Sequence, residues 1–194
     1  MIRIEQLSGL ALDSHLGRLA RLRIEVFRDY PYLYDGDADY EAWYVAEFAK
    51  ARGAVVIAAL DGERLVGAAT ASPMGAQKPE FTSPFAALGV AVEELFYFGE
   101  SVLLPEYRGR GIGHTFFDAR EAAARAQGFH LAGFYSVVRP ADHPLKPEAY
   151  SSLNGFWTKR GYAPVAGAVA DFPWKEPGQP EETPHPMQFW MRRN

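Results

Sequence analysis

The sequence predicts an α/β fold in which helices cover a layered, mixed sheet. Strand-like and helix-like segments alternate along the whole chain, which is typical of mixed layers. Asp61-Gly62 lies between two apolar, β-rich runs and indicates a hairpin. A strand, a helix and a second strand over residues 95–138 predict a parallel pair, because such crossovers join parallel strands.

Length and composition limit the class of protein. The 194 residues are 48% hydrophobic and 23% charged, which fits one globular domain over 1–194. A net charge of −4 argues against nucleic acid or an anionic membrane as the main partner, since both favour a basic face. The absence of cysteine excludes disulfides, thiolate metal sites and a cysteine nucleophile. Without an export signal or a membrane-span candidate, the chain is expected to be cytoplasmic.

The first half of the chain is predicted to contain three strands and two helices. Asp13 or Ser14 is expected to cap the first helix, which stops before Pro31, and Asp37 or Asp39 to cap the second. Arg52-Gly53 ends the second helix. Strands are expected over 2–6, 54–60 and 64–71.

In the second half, helix 112–127 is the clearest element, since it is rich in alanine and followed by Gly128. Residues 72–93 are expected to form a loop with a short helix near Pro84–Leu88. The remaining predicted elements are strands 95–104 and 130–138, a helix over 148–160, and strands 162–169 and 187–191 joined by a proline-rich excursion.

The most informative segment is a glycine-rich turn in SVLLPEYRGRGIGHTFF, residues 101–117. A strand ends, the turn follows and a helix begins at once, so several backbone N–H groups are free at a helix N-terminus. Glycines at 109, 111 and 113 let a ligand approach the backbone, and Arg108 and Arg110 add positive charge. The segment therefore predicts a phosphate-bearing ligand.

Two common phosphate-binding motifs do not fit this turn. A dinucleotide fingerprint starting at Gly109 would need a third glycine where His114 stands, and residues 128–135 lack the acidic ribose-binding residue. A Walker A loop needs a lysine that Gly113-His114-Thr115 lacks.

The turn resembles the signature of the GCN5-related N-acetyltransferase (GNAT) family, Gln/Arg-x-x-Gly-x-Gly/Ala, here Arg108-Gly109-Arg110-Gly111-Ile112-Gly113. The resemblance implies a mixed, mostly antiparallel twisted sheet of about seven strands flanked by helices, with a central parallel pair. It implies acetyl-CoA as acyl donor, its pyrophosphate on the turn and its pantetheine arm on the preceding strand. The residues expected to bind it are Ser101, Val102, Leu103, Arg108, Gly109, Arg110, Gly111, Ile112, Gly113 and His114.

Glu100 is the candidate general base. It lies in a strand expected to be central, where a carboxylate is costly unless it is paired, hydrated or functional. An amine with a pKa near 10.4 must lose a proton before it can attack, and a glutamate on this strand often takes that proton in the family. The alternative is a carboxylate that pairs with an arginine or caps a bulge at Gly99.

The candidate general acid departs from the family pattern. The family's tyrosine falls on Trp157, which cannot donate a useful proton and is expected in the core or a pocket wall. The substitutes are Tyr150, which we place in the catalytic set with Glu100, and Tyr135. A thiolate can also leave without an acid.

Two segments are expected to border the acceptor amine. The family resemblance implies this for the aromatic and acidic segment that contains Tyr30 and Tyr32, whose rings and carboxylates would suit a cationic amine. The other segment is the loop with Arg139, Asp142 and His143, which lies beyond the carboxyl end of a strand, where ligands often bind. Capping, core packing and an ordinary rigid loop are the structural alternatives. The histidines lack ligand spacing, so no metal is expected.

These observations predict an N-acetyltransferase that moves the acetyl group of acetyl-CoA to a primary amine by direct attack. The acceptor is a small molecule or a peptide, and a homodimer is left open as the assembly. The alternative is a non-catalytic acyl-CoA sensor or interaction module of the same fold.

Overall fold

The computed structural model describes residues 1–86 and 88–193. Within them one sheet holds seven strands: β1 (Ile2–Leu7), β2 (Val55–Asp61), β3 (Arg64–Pro73), β4 (Leu95–Leu103), β5 (Leu131–Val137), β6 (Ala163–Lys175) and β7 (Glu182–Arg193). Their order is β1-β2-β3-β4-β5-β7-β6, and of these strands only β4 and β5 pair in parallel. The predicted mixed sheet with a central parallel pair is confirmed.

The helices in the described residues are α1 (Gly9–Asp13), α2 (Leu16–Phe27), α3 (Ala38–Lys50), α4 (Pro79–Ala86), α5 (Ile112–Ala126) and α6 (Asn154–Lys159). Asp37 caps α3 as predicted, because its carboxylate accepts the N–H of Tyr40 at 2.8 Å. The predicted cap of α2 at Asp13 or Ser14 is wrong. Asp13 ends the short helix α1, and the N–H of Ser14 is used to close it.

Two helices differ from the prediction. The helix expected near Pro84–Leu88 begins earlier, as α4, and residue 87 lies outside the described residues. The helix expected over 148–160 is only α6, because the chain makes a turn before it, in which Tyr150 N–H donates to Pro147 O at 3.0 Å.

The last two strands also differ from the prediction. β6 and β7 form one long hairpin instead of flanking a proline-rich excursion. The prolines are tolerated because β6 is an edge strand, and Pro184 and Pro186 lie where β7 extends beyond its ladder with β5.

The elements that carry the predicted site converge on two strands. Both α2 and α5 contact β3 and β4, and α3 contacts α2.

In the described part of the chain, no helix is both long and apolar enough to cross a membrane.

Candidate functional site

The glycine-rich turn connects β4 to α5. Gly109 and Gly111 have φ values of 74° and 82°, which residues with a Cβ rarely adopt, and α5 begins from Gly111. The N–H groups of residues 109–114 have no backbone acceptor in the described part of the chain. These amides and the N-terminal end of α5 together form a cradle for an anion.

Internal packing does not explain the glycines of this cradle. A Cβ at Gly109 or Gly111 would meet nothing within 4 Å among the described residues, so no neighbouring group requires a glycine at either position. Arg108 Nε donates to Leu103 O at 3.2 Å and Arg110 Nη2 to Glu106 O at 2.7 Å. Both arginines are exposed, so their guanidinium groups lie at the surface of the turn. The cradle therefore fits a phosphate-bearing ligand.

The family-implied ligand residues flank this cradle on both sides. His114 is exposed, with its Nδ1 3.2 Å from an Arg160 nitrogen, and Ile112 is buried beneath the turn. One edge of β4 is paired with β3 as far as Leu103. The other edge is paired with β5 only from Leu95 to Tyr97. Residues 101–103 therefore present a strand edge that no described strand occupies, and such an edge can bind an extended ligand.

A β-bulge determines where Glu100 lies. The register between β3 and β4 shifts after Ala69, so that Gly99 and Glu100 together face Thr70. The Thr70 hydroxyl accepts the N–H of Glu100 at 3.2 Å. A Cβ on Gly99 would come within 2.5 Å of that hydroxyl oxygen, which explains the glycine.

Arg120 of α5 holds the bulge. Its Nη1 donates to Glu100 O at 3.0 Å, and its Nη2 donates to the Ser101 hydroxyl at 2.8 Å. Burial lowers the pKa of Arg120 to about 10, so the side chain is still a cation at neutral pH. The helix that begins at the cradle is thereby tied to the strand that carries Glu100.

A buried charge cluster, which consists of Arg23, Glu41 and Glu100, surrounds the candidate base. Arg23 on α2 pairs with Glu41 on α3 and with Glu100 on β4, and the three side chains are 9%, 1% and 8% exposed. Tyr34 donates its hydroxyl to Glu41 at 2.6 Å. Of the two structural alternatives considered for Glu100, the arginine partner is therefore present. The bulge is present as well, but it is the backbone N–H of Glu100 that is bound there, by Thr70.

Two carboxylates of the cluster share one guanidinium. Burial lowers the pKa of Arg23, but Glu100, Tyr44 and Glu41 raise it more, so the net pKa lies well above its usual value. Arg23 therefore remains a cation.

Three tyrosines surround Glu100: Tyr97 is buried, and Tyr32 and Tyr44 are half-buried. Burial, followed by the charge of Glu100, raises the pKa of Tyr32 to about 12 and that of Tyr44 further. The pKa of Tyr97 is also raised, by burial, then by Tyr44 and Glu100. The tyrosines are thus neutral at pH 7 and form a polarisable aromatic wall beside a carboxylate.

Three residues predicted on separate segments form a second aromatic group. The ring of Tyr30 lies 4.7 Å from that of Tyr150, edge-on, and 5.6 Å from that of His143. Burial and Tyr30 raise the pKa of Tyr150. Tyr150 also contributes to the raised pKa of Tyr32, which links this group to the surroundings of Glu100. Asp142 is exposed in the same loop.

The side chain of Arg139 is used internally. It donates to Pro31 O and to Tyr32 O, both at 2.7 Å, and pairs with Glu176 at 2.7 Å. Only 9% of the side chain is exposed. Its donors face protein groups, which makes Arg139 a residue that positions the Tyr30–Tyr32 segment rather than one that contacts the acceptor.

The other candidate acid, Tyr135, lies in the core. Its hydroxyl already donates to Phe81 O at 2.9 Å, and the residue is 5% exposed, so the prediction that it could substitute as an acid is wrong. Trp157 packs between the rings of Phe134 and Trp190, at 4.9 and 5.2 Å, as expected for a packing residue.

Sequence patterns alone missed Arg23, Glu41 and Arg120. One signal was present: Arg23 falls within the apolar stripe Leu19, Leu22 and Val26 of α2, where a charge needs a buried partner. Among the described residues no group of three or more histidines and carboxylates could hold a metal ion.

Comparisons with known proteins identify the family and the fold. The model of the family described as acetyltransferase (GNAT) matches residues 19–146, more than half of the chain. A search of curated proteins gives no match.

Solved structures share the fold. A ribosomal-protein-alanine N-acetyltransferase from Brucella melitensis is 13% identical with a TM-score of 0.65, and covers 99% of both chains. A GCN5-related N-acetyltransferase from Kribbella flavida is 13% identical with a TM-score of 0.61, over 100% of this chain and 98% of that one. A protein from Salmonella typhimurium, described as a candidate acetyltransferase with its cofactor acetyl-CoA, is 13% identical with a TM-score of 0.61, over 99% of this chain and 93% of that one. On the family match, the protein belongs to the GNAT family of acetyltransferases.

Proposed function

We propose that this protein transfers an acetyl group from acetyl-CoA to a primary amine, which attacks directly while both substrates are bound. One observation carries the proposal: β4 bears the buried carboxylate of Glu100 and then leads into the open amide cradle of residues 109–114. The family match and the Salmonella relative described with acetyl-CoA support the donor. Without cysteine, the chain cannot form an acyl-cysteine intermediate.

Residues of the turn and of β4 would hold the donor, which supplies the acetyl thioester. The amides of 109–114, with Arg108, Arg110 and His114 at their side, would bind the pyrophosphate. The unpaired edge at Ser101, Val102 and Leu103 would bind the pantetheine arm through main-chain hydrogen bonds. Ile112 supports the turn from below.

Glu100 would take the proton of the amine. Arg23 alone would favour the ionised carboxylate and weaken it as a base. Glu41 shares the same guanidinium, however, so Arg23 is divided between two carboxylates. This division neutralises Glu100 less than a one-to-one ion pair would, which favours the approach of an ammonium group and the transfer of its proton.

The acceptor would lie between the two aromatic groups. Tyr32 lies close to Glu100 and Arg23 of the charge cluster. The ring of Tyr30 lies edge-on to that of Tyr150 and tilted to that of His143, and Asp142 adds a carboxylate in the same loop as His143. The raised pKa of Tyr150 keeps its hydroxyl protonated at neutral pH, so Tyr150 can hold the proton for the leaving group.

Two observations favour a second candidate function, a non-catalytic acyl-CoA sensor. Glu100 has a structural partner in Arg23, and a half-buried tryptophan that packs against the core stands at the family's acid position.

Measuring thiol release from acetyl-CoA over a panel of primary amines distinguishes an acetyltransferase from a non-catalytic sensor. An enzyme gives amine-dependent thiol and an acetylated product visible by mass spectrometry. A sensor binds CoA in a calorimeter but gives no amine-dependent thiol. The acceptor class, the cytoplasmic location and the assembly stay predictions.

A further inference from the structure

Arg120 is the one mostly buried arginine without a carboxylate partner in the described part of the chain. It is 1% exposed and forms no ion pair there. The other arginines with mostly buried side chains, Arg23, Arg139 and Arg160, each pair with a carboxylate. Burying a cation without such a partner is costly, so the charge of Arg120 is either stabilised in another way or used in the reaction.

The surroundings of Arg120 stabilise this cation without neutralising it. Its guanidinium carbon lies 4.4 Å from the ring centre of Phe98 and 4.7 Å from that of Phe117, and aromatic faces attract a cation. The carboxylates whose charges act on it, Glu100 and Glu121, are bound to other arginines. A positive charge that no carboxylate contacts therefore lies against β4.

Ser101 connects Arg120 to the surface of the molecule. Nη2 of Arg120 donates to the Ser101 hydroxyl at 2.8 Å, and Ser101 is exposed. A guanidinium can only donate, so the serine oxygen accepts and its own proton is left to bind another group. That proton has no acceptor among the described residues. Because a bond from a cation polarises the hydroxyl, Ser101 is a strengthened hydrogen-bond donor.

Ser101 lies where the proposed donor would place its reactive end. With the pyrophosphate on residues 109–114 and the pantetheine arm along the unpaired edge of β4, the thioester would lie at the far end of that edge, beside Glu100. Neighbouring side chains of a strand point to opposite faces, so Glu100 meets Arg23 on α2 whereas Ser101 meets Arg120 on α5. The two faces of β4 thus offer a carboxylate and a donor held by a cation.

We propose that Ser101 is a catalytic residue whose hydroxyl donates a hydrogen bond to the thioester oxygen, and that Arg120 is the positioning residue that holds it. This rests on the proposed function. When the amine nitrogen bonds to the thioester carbon, the electron pair of the carbonyl double bond moves to the oxygen, and it returns when the C–S bond breaks. The amine's proton goes to Glu100, and the thiolate takes one from Tyr150. A donor aimed at the oxygen stabilises the negative charge that forms there.

The alternative is an arginine that only satisfies the carbonyls of the β-bulge. Nη1 of Arg120 donates to Glu100 O at 3.0 Å and to Thr70 O at 3.4 Å. That structural role needs N–H donors on Arg120 but no exposed hydroxyl. Changes at Ser101 therefore distinguish the two explanations.

Infrared spectroscopy of bound acetyl-CoA, isotopically labelled at the thioester carbonyl and with no amine present, tests the contact. A hydrogen bond to the oxygen lowers the carbonyl stretching frequency, so we expect the wild type to lower it relative to free acetyl-CoA. Ser101→Ala should return the frequency toward the free value, and Ser101→Thr, which keeps a hydroxyl, should not. Turnover of Ser101→Ala should fall by roughly 10²–10³ with CoA affinity nearly unchanged, because alanine keeps the main-chain groups.

Variants of Arg120 test the positioning role. Arg120→Met should return the carbonyl frequency part of the way toward the free value and lower turnover by about ten- to a hundredfold. Arg120→Lys keeps the charge and should recover part of both. Arg125 is an exposed arginine of the same helix, and Arg125→Met should change neither. If Arg120→Met does not fold, the Ser101 pair still decides.

The outcomes separate this proposal from the function on which it rests. Turnover of Ser101→Ala equal to that of the wild type would overturn the proposal and leave the acetyltransferase in place. A loss of turnover with an unchanged carbonyl frequency would also overturn it, since the hydroxyl would then act on another atom. A carbonyl frequency that depends on Ser101, without amine-dependent thiol release, would support the contact and refute the enzyme.

Discussion

Replacing Gly111 by valine should weaken the binding of CoA by more than its effect on stability explains. Gly111 has a φ of 82° at the start of α5, in front of amides with no backbone acceptor in the described residues. Valine adds a branched side chain where a phosphate must approach the backbone. If one charge-assisted amide contact, about 1.5–3 kcal/mol, is lost, CoA should bind about ten- to a hundredfold more weakly.

The same helix supplies the control. Gly128, just beyond the other end of α5, has a φ of 81°, and a Cβ there also meets nothing within 4 Å among the described residues. Valine at either position should cost about 1–3 kcal/mol of backbone strain. In a chain of this length that lowers Tm by about 2–4 °C per kcal/mol.

Calorimetric titration of CoA into both variants and the wild type is the assay. Gly128→Val should lose stability but bind CoA normally, and Gly111→Val should lose both. Wild-type affinity in Gly111→Val, or an equal loss of affinity in Gly128→Val, would refute the placement of the donor on this turn.

Three other predictions address the charge cluster, pH and the acid. Arg23→Met leaves two buried carboxylates without their cation, so the free energy of unfolding measured in urea should fall by about 3–5 kcal/mol, whereas the exposed Arg28→Met should lower it by about 0–1 kcal/mol. Similar losses in the two variants would contradict a stabilising role of Arg23 in the charge cluster. Burial and Arg139 lower the pKa of His185, so the unfolded chain binds more protons and the free energy of unfolding should fall as pH drops below about 6.5. His185→Gln should flatten that slope, and an unchanged slope would remove His185 as its source. Tyr150→Phe should lower turnover by roughly 10²–10⁴ while Trp157→Phe keeps most of it; full activity in Tyr150→Phe would mean that the thiolate leaves without an acid.

Local patterns were sufficient for the parts of the fold that local chemistry determines. The Asp61-Gly62 hairpin, the cap at Asp37 and the alanine-rich helix α5 follow from turn, capping and propensity rules. The full length of the β6–β7 hairpin could not be predicted in this way. Its prolines argue against strands unless the edge position of β6 is known. The helix predicted over 148–160 failed for a similar reason, since the loop before α6 is held by contacts such as that between Tyr150 and Tyr30.

The candidate site also has one part that local sequence predicts and one part that it does not. Its glycine turn is one continuous segment with a recognisable sequence motif, so its residues could be named in advance. The charge cluster is assembled from α2, α3 and β4, and nothing in the sequence states that Arg23 meets both Glu41 and Glu100. Only the bulge at Gly99 turns Glu100 toward that cation.

Turnover of Glu100→Gln on a verified acceptor tests the central claim, that Glu100 takes the proton of the amine. Glutamine keeps the shape and can still hydrogen-bond to its surroundings, but it cannot accept the proton. Turnover should fall by roughly 10²–10⁴ with CoA affinity nearly unchanged, and the rise of rate with pH that reports the base should vanish. Wild-type turnover at neutral pH would contradict the account, and Glu100 would then be only the structural partner of Arg23.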